Sequence, residues 1–245
     1  MKKFARLICF ALIATVGGLS FAKPLPAQTA GKESFEVSGI KAVRPNLVNA
    51  INAVKKGYIA GAKAAFEAYD IAWNGIEVYV STRDRAMYGD IEQNWQAKIT
   101  KELNTPGTDN AAIASDLQMM LARFDDAIAM AQKGAPLSPL YDDVARLRTV
   151  RSPLRIVTPS LRTGDFAKAR KTYSAFDEKW DSIEDLIKAR NADSYTIIEK
   201  DMIQIERALM PEKPDVDQTS NLVKEVMDKY NAVVADITKD ARAAK

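Results

Sequence analysis

The 245-residue chain carries 35 Lys and Arg against 32 Asp and Glu, one cysteine and no histidine. The absence of histidine removes both the commonest general base and the commonest transition-metal ligand. The formal charge of +3 resides in Lys2, Lys3 and Arg6, and beyond them 32 basic residues face 32 acidic ones; no nucleic-acid footprint and no polybasic membrane patch is expected from such a balance.

Those three basic residues precede an apolar run from Leu7 to Phe21, with Ser20 and Ala22 as small residues at the −3 and −1 positions. The pattern predicts a secretory signal over residues 1–22, cleaved after Ala22, and hence a periplasmic or otherwise extracytoplasmic protein. The run is shorter than the roughly 20 residues that a spanning helix needs, so no direct membrane insertion is expected after cleavage. Cys9 lies inside the run and leaves with it. A mature chain without disulfides must draw its stability from a hydrophobic core, for which its length suffices.

Residues 23–42 are rich in Pro, Gly, Ser, Thr and Lys and read as a flexible leader. From Asn46 onward apolar residues recur at three and four positions, and breakers fall at Gly57, Pro106-Gly107, Gly134 to Pro136, Pro159, Gly164 and Pro211 to Pro214. This pattern predicts helices at about 44–56, 58–81, 85–103, 109–133, 139–151, 153–162, 165–189, 192–209 and 216–242, with no strand.

Self-comparison at an offset of 107 residues aligns 70–92 with 177–199 without a gap. Asp70, Trp73, Ile76, Glu77, Arg83, Tyr88, Ile91 and Glu92 fall on Asp177, Trp180, Ile183, Glu184, Arg190, Tyr195, Ile198 and Glu199. Upstream, Gly57 falls on Gly164 and Phe66 on Tyr173; after Leu103 the offset slips by about one residue, bringing Phe124 onto Tyr230. A fixed internal period marks duplicated supersecondary units. The expected fold is all-α, with two tandem, homologous helical-bundle units of about four helices each, at residues 43–135 and 136–245.

The duplicated core reads W-x-x-I-E, a break around the repeated arginine, then Y-x-x-I-E. At about 100° per residue Asp70, Trp73 and Glu77 share one stripe of a helix, which places the carboxylates beside an aromatic, core-facing surface. A carboxylate there needs a cation, a metal ion or several hydrogen bonds to offset desolvation. Two readings stay open. In one, Glu77 and Glu92 pair with Arg83, and Glu184 and Glu199 with Arg190, as internal salt bridges of a structural or protein-interaction module. In the other, Glu77, Glu92, Glu184, Glu199, Asp70 and Asp177 supply hard oxygen ligands for Fe³⁺, Mn²⁺ or Ca²⁺. A ferritin-like di-iron site is disfavoured because it needs Glu-x-x-His motifs. No Ser/His/Asp or Cys/His set, P-loop or dinucleotide fingerprint occurs, so neither an enzyme nor an organic cofactor is expected.

At Trp73-Asn74-Gly75-Ile76-Glu77 with Tyr88-Gly89-Asp90-Ile91-Glu92, and again at Trp180-Asp181-Ser182-Ile183-Glu184 with Tyr195-Thr196-Ile197-Ile198-Glu199, the chain resembles the soluble helical region that precedes the membrane part of bacterial oxidase-dependent iron permeases. The permease's own membrane spans and Arg-Glu-Gly-Leu-Glu type segment are absent from this sequence. The resemblance implies an extracytoplasmic accessory or binding protein in iron uptake, with an iron permease or another membrane uptake component as partner. It identifies no metal ligands.

Overall fold

A computed structural model describes residues 33–244; the expected signal and the first part of the expected leader lie outside them. The described residues form helices and their connections, with no strand among them, as the apolar periodicity requires.

The first helix, α1 (Phe35–Lys55), begins well before the expected position. Residues 35–42 are therefore not leader: Val37, Ile40, Val43 and Leu47 recur at three and four residues and are all buried, giving this segment a core face of its own. Glu36 is also buried, because Arg83 Nη2 donates to its Oε1 at 2.6 Å and the Leu137 amide donates at 3.1 Å. Gly57 ends the helix in a left-handed conformation (φ 70°), where glycine carries no Cβ penalty.

The chain returns along α2 (Ile59–Arg83), which packs on α1. Asp84 then caps α3 (Arg85–Gly89) by accepting the Met87 amide at 2.9 Å. A π-helical stretch, Asp90–Gln96, separates α3 from α4 (Ala97–Asn104). The helix α5 (Asn110–Lys133), capped by Asp109, closes the first group against α1.

The second half follows the same order. Pro153 divides the next helix into α6 (Leu140–Arg151) and α7 (Leu154–Arg162), and Gly164 repeats the left-handed turn (φ 76°). After it come α8 (Phe166–Trp180), α9 (Glu184–Arg190), α10 (Ala192–Leu209) and α11 (Val216–Ala243). Shifted by 107 residues, Ile59–Arg83 becomes 166–190, the span from the start of α8 to the end of α9, and the start of α3 becomes that of α10. The sequence period is thus also the period of the helix boundaries.

Packing is arranged likewise: α1 lies on α2 and α5, and α7 lies on α8 and α11. The halves join where α2 packs on α6. Gly75 makes that approach possible, since a Cβ there would stand 1.9 Å from Thr149 Oγ1 and 3.1 Å from the Ala145 carbonyl oxygen. Each half holds an aromatic cluster. In the first, Tyr69 and Trp73 stack with centroids 6.0 Å apart and Phe124 lies 5.9 Å from Trp73. In the second, Phe176 lies 5.9 Å and Tyr230 6.2 Å from Trp180. Each such fully buried ring contributes about 1.5–3 kcal/mol or more through removal from water. No helix among the described residues is long and apolar enough to cross a membrane.

Candidate functional site

The repeated tryptophans and the second glutamate of each motif form the same contact twice. Trp73 Nε1 donates to Glu92 Oε2 at 2.6 Å, and Trp180 Nε1 donates to Glu199 Oε1. Tyr88 stacks on Trp73 at 6.4 Å and 12°, and Tyr195 stacks on Trp180 at 6.4 Å and 11°. The indole is buried in both halves, and a buried N–H must find an acceptor. Glu92 and Glu199 supply it, and so tie α2 to the π-helical stretch and α8 to α10.

The first glutamates differ between halves. Arg148 Nη1 donates to Glu77 Oε1 at 2.7 Å across the α2–α6 seam. Glu184 instead accepts the Tyr195 hydroxyl at 3.3 Å. Neither repeated arginine serves the motif glutamates, contrary to the pairing expected from sequence. Arg83 binds Glu36, and Arg190 Nη1 donates to Asp240 Oδ2 at 2.7 Å. The helical geometry explains this: Arg83 and Arg190 stand at the C-terminal ends of α2 and α9, more than a turn beyond the glutamates.

The aspartates diverge as well. Asp70 Oδ1 accepts from Gln96 and, at 3.4 Å, from Asn74 Nδ2, while Arg155 donates to Asn74 Oδ1. Burial raises the Asp70 pKa and the charge of Arg155 opposes the rise. Asp177 lies in a surface hollow with Arg170, Tyr173, Glu206 and Met210, where burial and then repulsion from Glu206 push its pKa up. Five of the six acids expected as ligands are therefore taken up by different hydrogen-bond partners, and Asp177 lies apart in its surface hollow. Among the described residues no three Asp, Glu, His or Cys side chains converge as a metal site would require.

Comparison of the chain with family models, curated proteins and solved structures returned no match.

A cleft of about 420 Å³ opens beside the Glu77–Arg148 pair, between the C-terminal part of α2, α3, α6 and α11. Glu77, Tyr88, Tyr141 and Arg148 line it, with Ser81, Thr82 and Thr238 as hydroxyl-bearing neighbours and Arg85 and Arg242 as further cations. The Tyr141 hydroxyl and Arg148 Nε are buried without a hydrogen-bond partner. Burial raises the Glu77 pKa to about 7, with repulsion from Glu92 adding to the rise and Arg148, Arg155 and Arg151 opposing it. Burial and the neighbouring Arg148 and Arg155 charges lower Arg151 to about 10.

Arg148, Arg151 and Arg155 lie outside the duplicated motif; at the 107-residue offset Lys41 and Arg44 stand where Arg148 and Arg151 do, and Val48 where Arg155 does. Their spacing of three and four residues brings the cations to one side of the segment: Arg148 and Arg155 reach Glu77 and Asn74 of α2, while Arg151 donates to Asn231 Oδ1 on α11.

Proposed function

We propose that the protein is a non-enzymatic binding protein of an extracytoplasmic compartment, which takes a small polar solute into the cleft beside Glu77 and Arg148 and serves a membrane uptake component. The duplicated hairpins are its framework. The observation that carries the reading is the cleft itself: it has the volume typical of ligand sites, and Arg85, Arg148 and Arg242 line it against a single carboxylate, Glu77. The signal pattern at residues 1–22 supports the compartment. The resemblance of the motif hairpins to the region preceding iron permeases supports a setting in metal uptake.

A thermal-shift panel of small polar solutes on wild type and on Thr82→Trp tests this reading. Thr82 is exposed at the cleft, so the indole fills it without disturbing the core. A solute at about 100 times its Kd stabilises a protein by about 2.7 kcal/mol, and the shift is expected in wild type only. An equal shift in both proteins, or none with any solute, would count against the cleft.

A second reading, a hard cation held by Glu77 and Glu92, is favoured by their mutual repulsion and by the buried, unpartnered Tyr69 hydroxyl, whose pKa burial and then the charges of Glu92, Asp70 and Glu77 raise. Calorimetry with Fe³⁺, Mn²⁺ and Ca²⁺ tests it; binding lost in Glu77→Gln would support the cation, and no binding by wild type would exclude it.

A further inference from the structure

We propose that the cleft between α2, α3, α6 and α11 receives a small polyvalent oxyanion, held by the guanidinium groups of Arg85, Arg148 and Arg242. The inference rests on the cleft being the ligand site and adds the chemical class of the ligand.

Charge decides the class. Three guanidinium groups line the cleft against one carboxylate, Glu77, and Glu77 Oε1 already accepts from Arg148 Nη1. Among the described residues neither Arg85 nor Arg242 has an ion-pair partner. A cation entering here meets a net positive wall, whereas an oxyanion meets donors of matching geometry, since guanidinium forks pair bidentately with carboxylate and phosphate.

The distribution of the cations points to more than one anionic group. Arg148 lies on the half-buried α6 wall of the cleft, where its guanidinium meets the inner end of a ligand. Arg85 and Arg242 are solvent-exposed, so they meet the end that stays near the mouth. One anionic group sits at the wall and another at the mouth. The cleft's volume admits an anion of the size of a tricarboxylate or a diphosphate.

Calorimetric titration of the purified full chain with citrate, with inorganic pyrophosphate and with Mn²⁺ tests the assignment. Wild type is expected to bind at least one of the two oxyanions, with affinity falling as salt rises. Arg85→Gln with Arg242→Gln should weaken that binding by about tenfold or more at an unchanged urea midpoint, because both side chains are exposed. Glu77→Gln should preserve or tighten it by freeing Arg148. Failure of both oxyanions to bind at millimolar concentration, or equal binding by the double variant, overturns the proposal. Mn²⁺ binding that is lost in both Glu77→Gln and Thr82→Trp overturns it too, yet leaves the cleft as the ligand site. Absence of binding by all three probes, together with no solute shift in the Thr82→Trp comparison, removes both readings.

Discussion

Gly75→Ala probes the seam on which the cleft depends. Gly75 lies in the middle of α2, where alanine is the better helix former by about 0.8–1 kcal/mol, so a chain in which this position faced solvent would gain stability. The structure predicts the opposite. The new Cβ would lie 1.9 Å from Thr149 Oγ1, 3.0 Å from Thr149 Cβ and 3.1 Å from the Ala145 carbonyl oxygen. Thr149 cannot simply turn away, because its hydroxyl donates to that same carbonyl at 2.8 Å, a bond contributing about 1 kcal/mol. Separating α2 from α6 to relieve the clash carries a typical overpacking cost of about 1–3 kcal/mol. Set against the propensity gain, the net expectation is a loss of about 1–3 kcal/mol, read as a lower urea midpoint at unchanged m. Gly75→Ala with Thr149→Ala removes the shortest contact and should recover part of the loss. A Gly75→Ala protein as stable as wild type, or more stable, would refute the close seam.

The repeated arginines should respond unequally. Arg83→Ala leaves the buried Glu36 carboxylate without its cation and should cost about 3–5 kcal/mol, whereas Arg190→Ala breaks a far more exposed pair with Asp240 and should cost less than about 1 kcal/mol, both by chemical denaturation. Trp73→Phe and Trp180→Phe each remove an indole donor from a motif glutamate, and each should cost about 1–3 kcal/mol; a neutral result in either half would deny the indole–carboxylate contact its structural role. Burial raises the Glu77 pKa to about 7, with Glu92 adding and Arg148, Arg155 and Arg151 opposing. The folded state therefore holds a proton between about pH 4.5 and 7 that the unfolded chain has released, so stability should fall across that window by an amount on the order of 3 kcal/mol and level off above it. Glu77→Gln should flatten the pH profile of the denaturation midpoint in that range; an unchanged slope would show that another group titrates there.

What the sequence made legible follows from which forces are local. Most helix spans and the 107-residue period were readable because apolar spacing and breakers such as Gly57 and Gly164 act within one turn, whereas the single helix expected at 165–189 is divided into α8 and α9 at residues 181–183, where no Gly or Pro marks the break. The stripe bearing Trp73 and Glu77 was correctly placed at the core surface for the same reason. Partners were not readable, because pairing is a tertiary property. Glu77 finds Arg148 across 71 residues and Arg83 finds Glu36 across 47, and nothing near either residue specifies the other. Composition misled at residues 35–42, where Gly39 and polar neighbours obscured the apolar positions Val37 and Ile40. Gly39 in fact suits the helix: a Cβ there would come within 3.1 Å of the Tyr79 ring. The π-helical stretch Asp90–Gln96 was hidden too, since its counterpart in α10 is an ordinary α-helix although both carry the motif glutamate. It turns Gln96 inward onto Asp70, a polar contact for which the second half has only the exposed Ile203.

A crystal structure of the protein grown with the tightest-binding of the two oxyanion probes tests the central claim most directly. The anion is expected in the cleft, with one group against the Arg148 guanidinium and its outer group against Arg85 and Arg242. An anion bound elsewhere with the cleft holding water alone, or a cation lodged between Glu77 and Glu92, would contradict it.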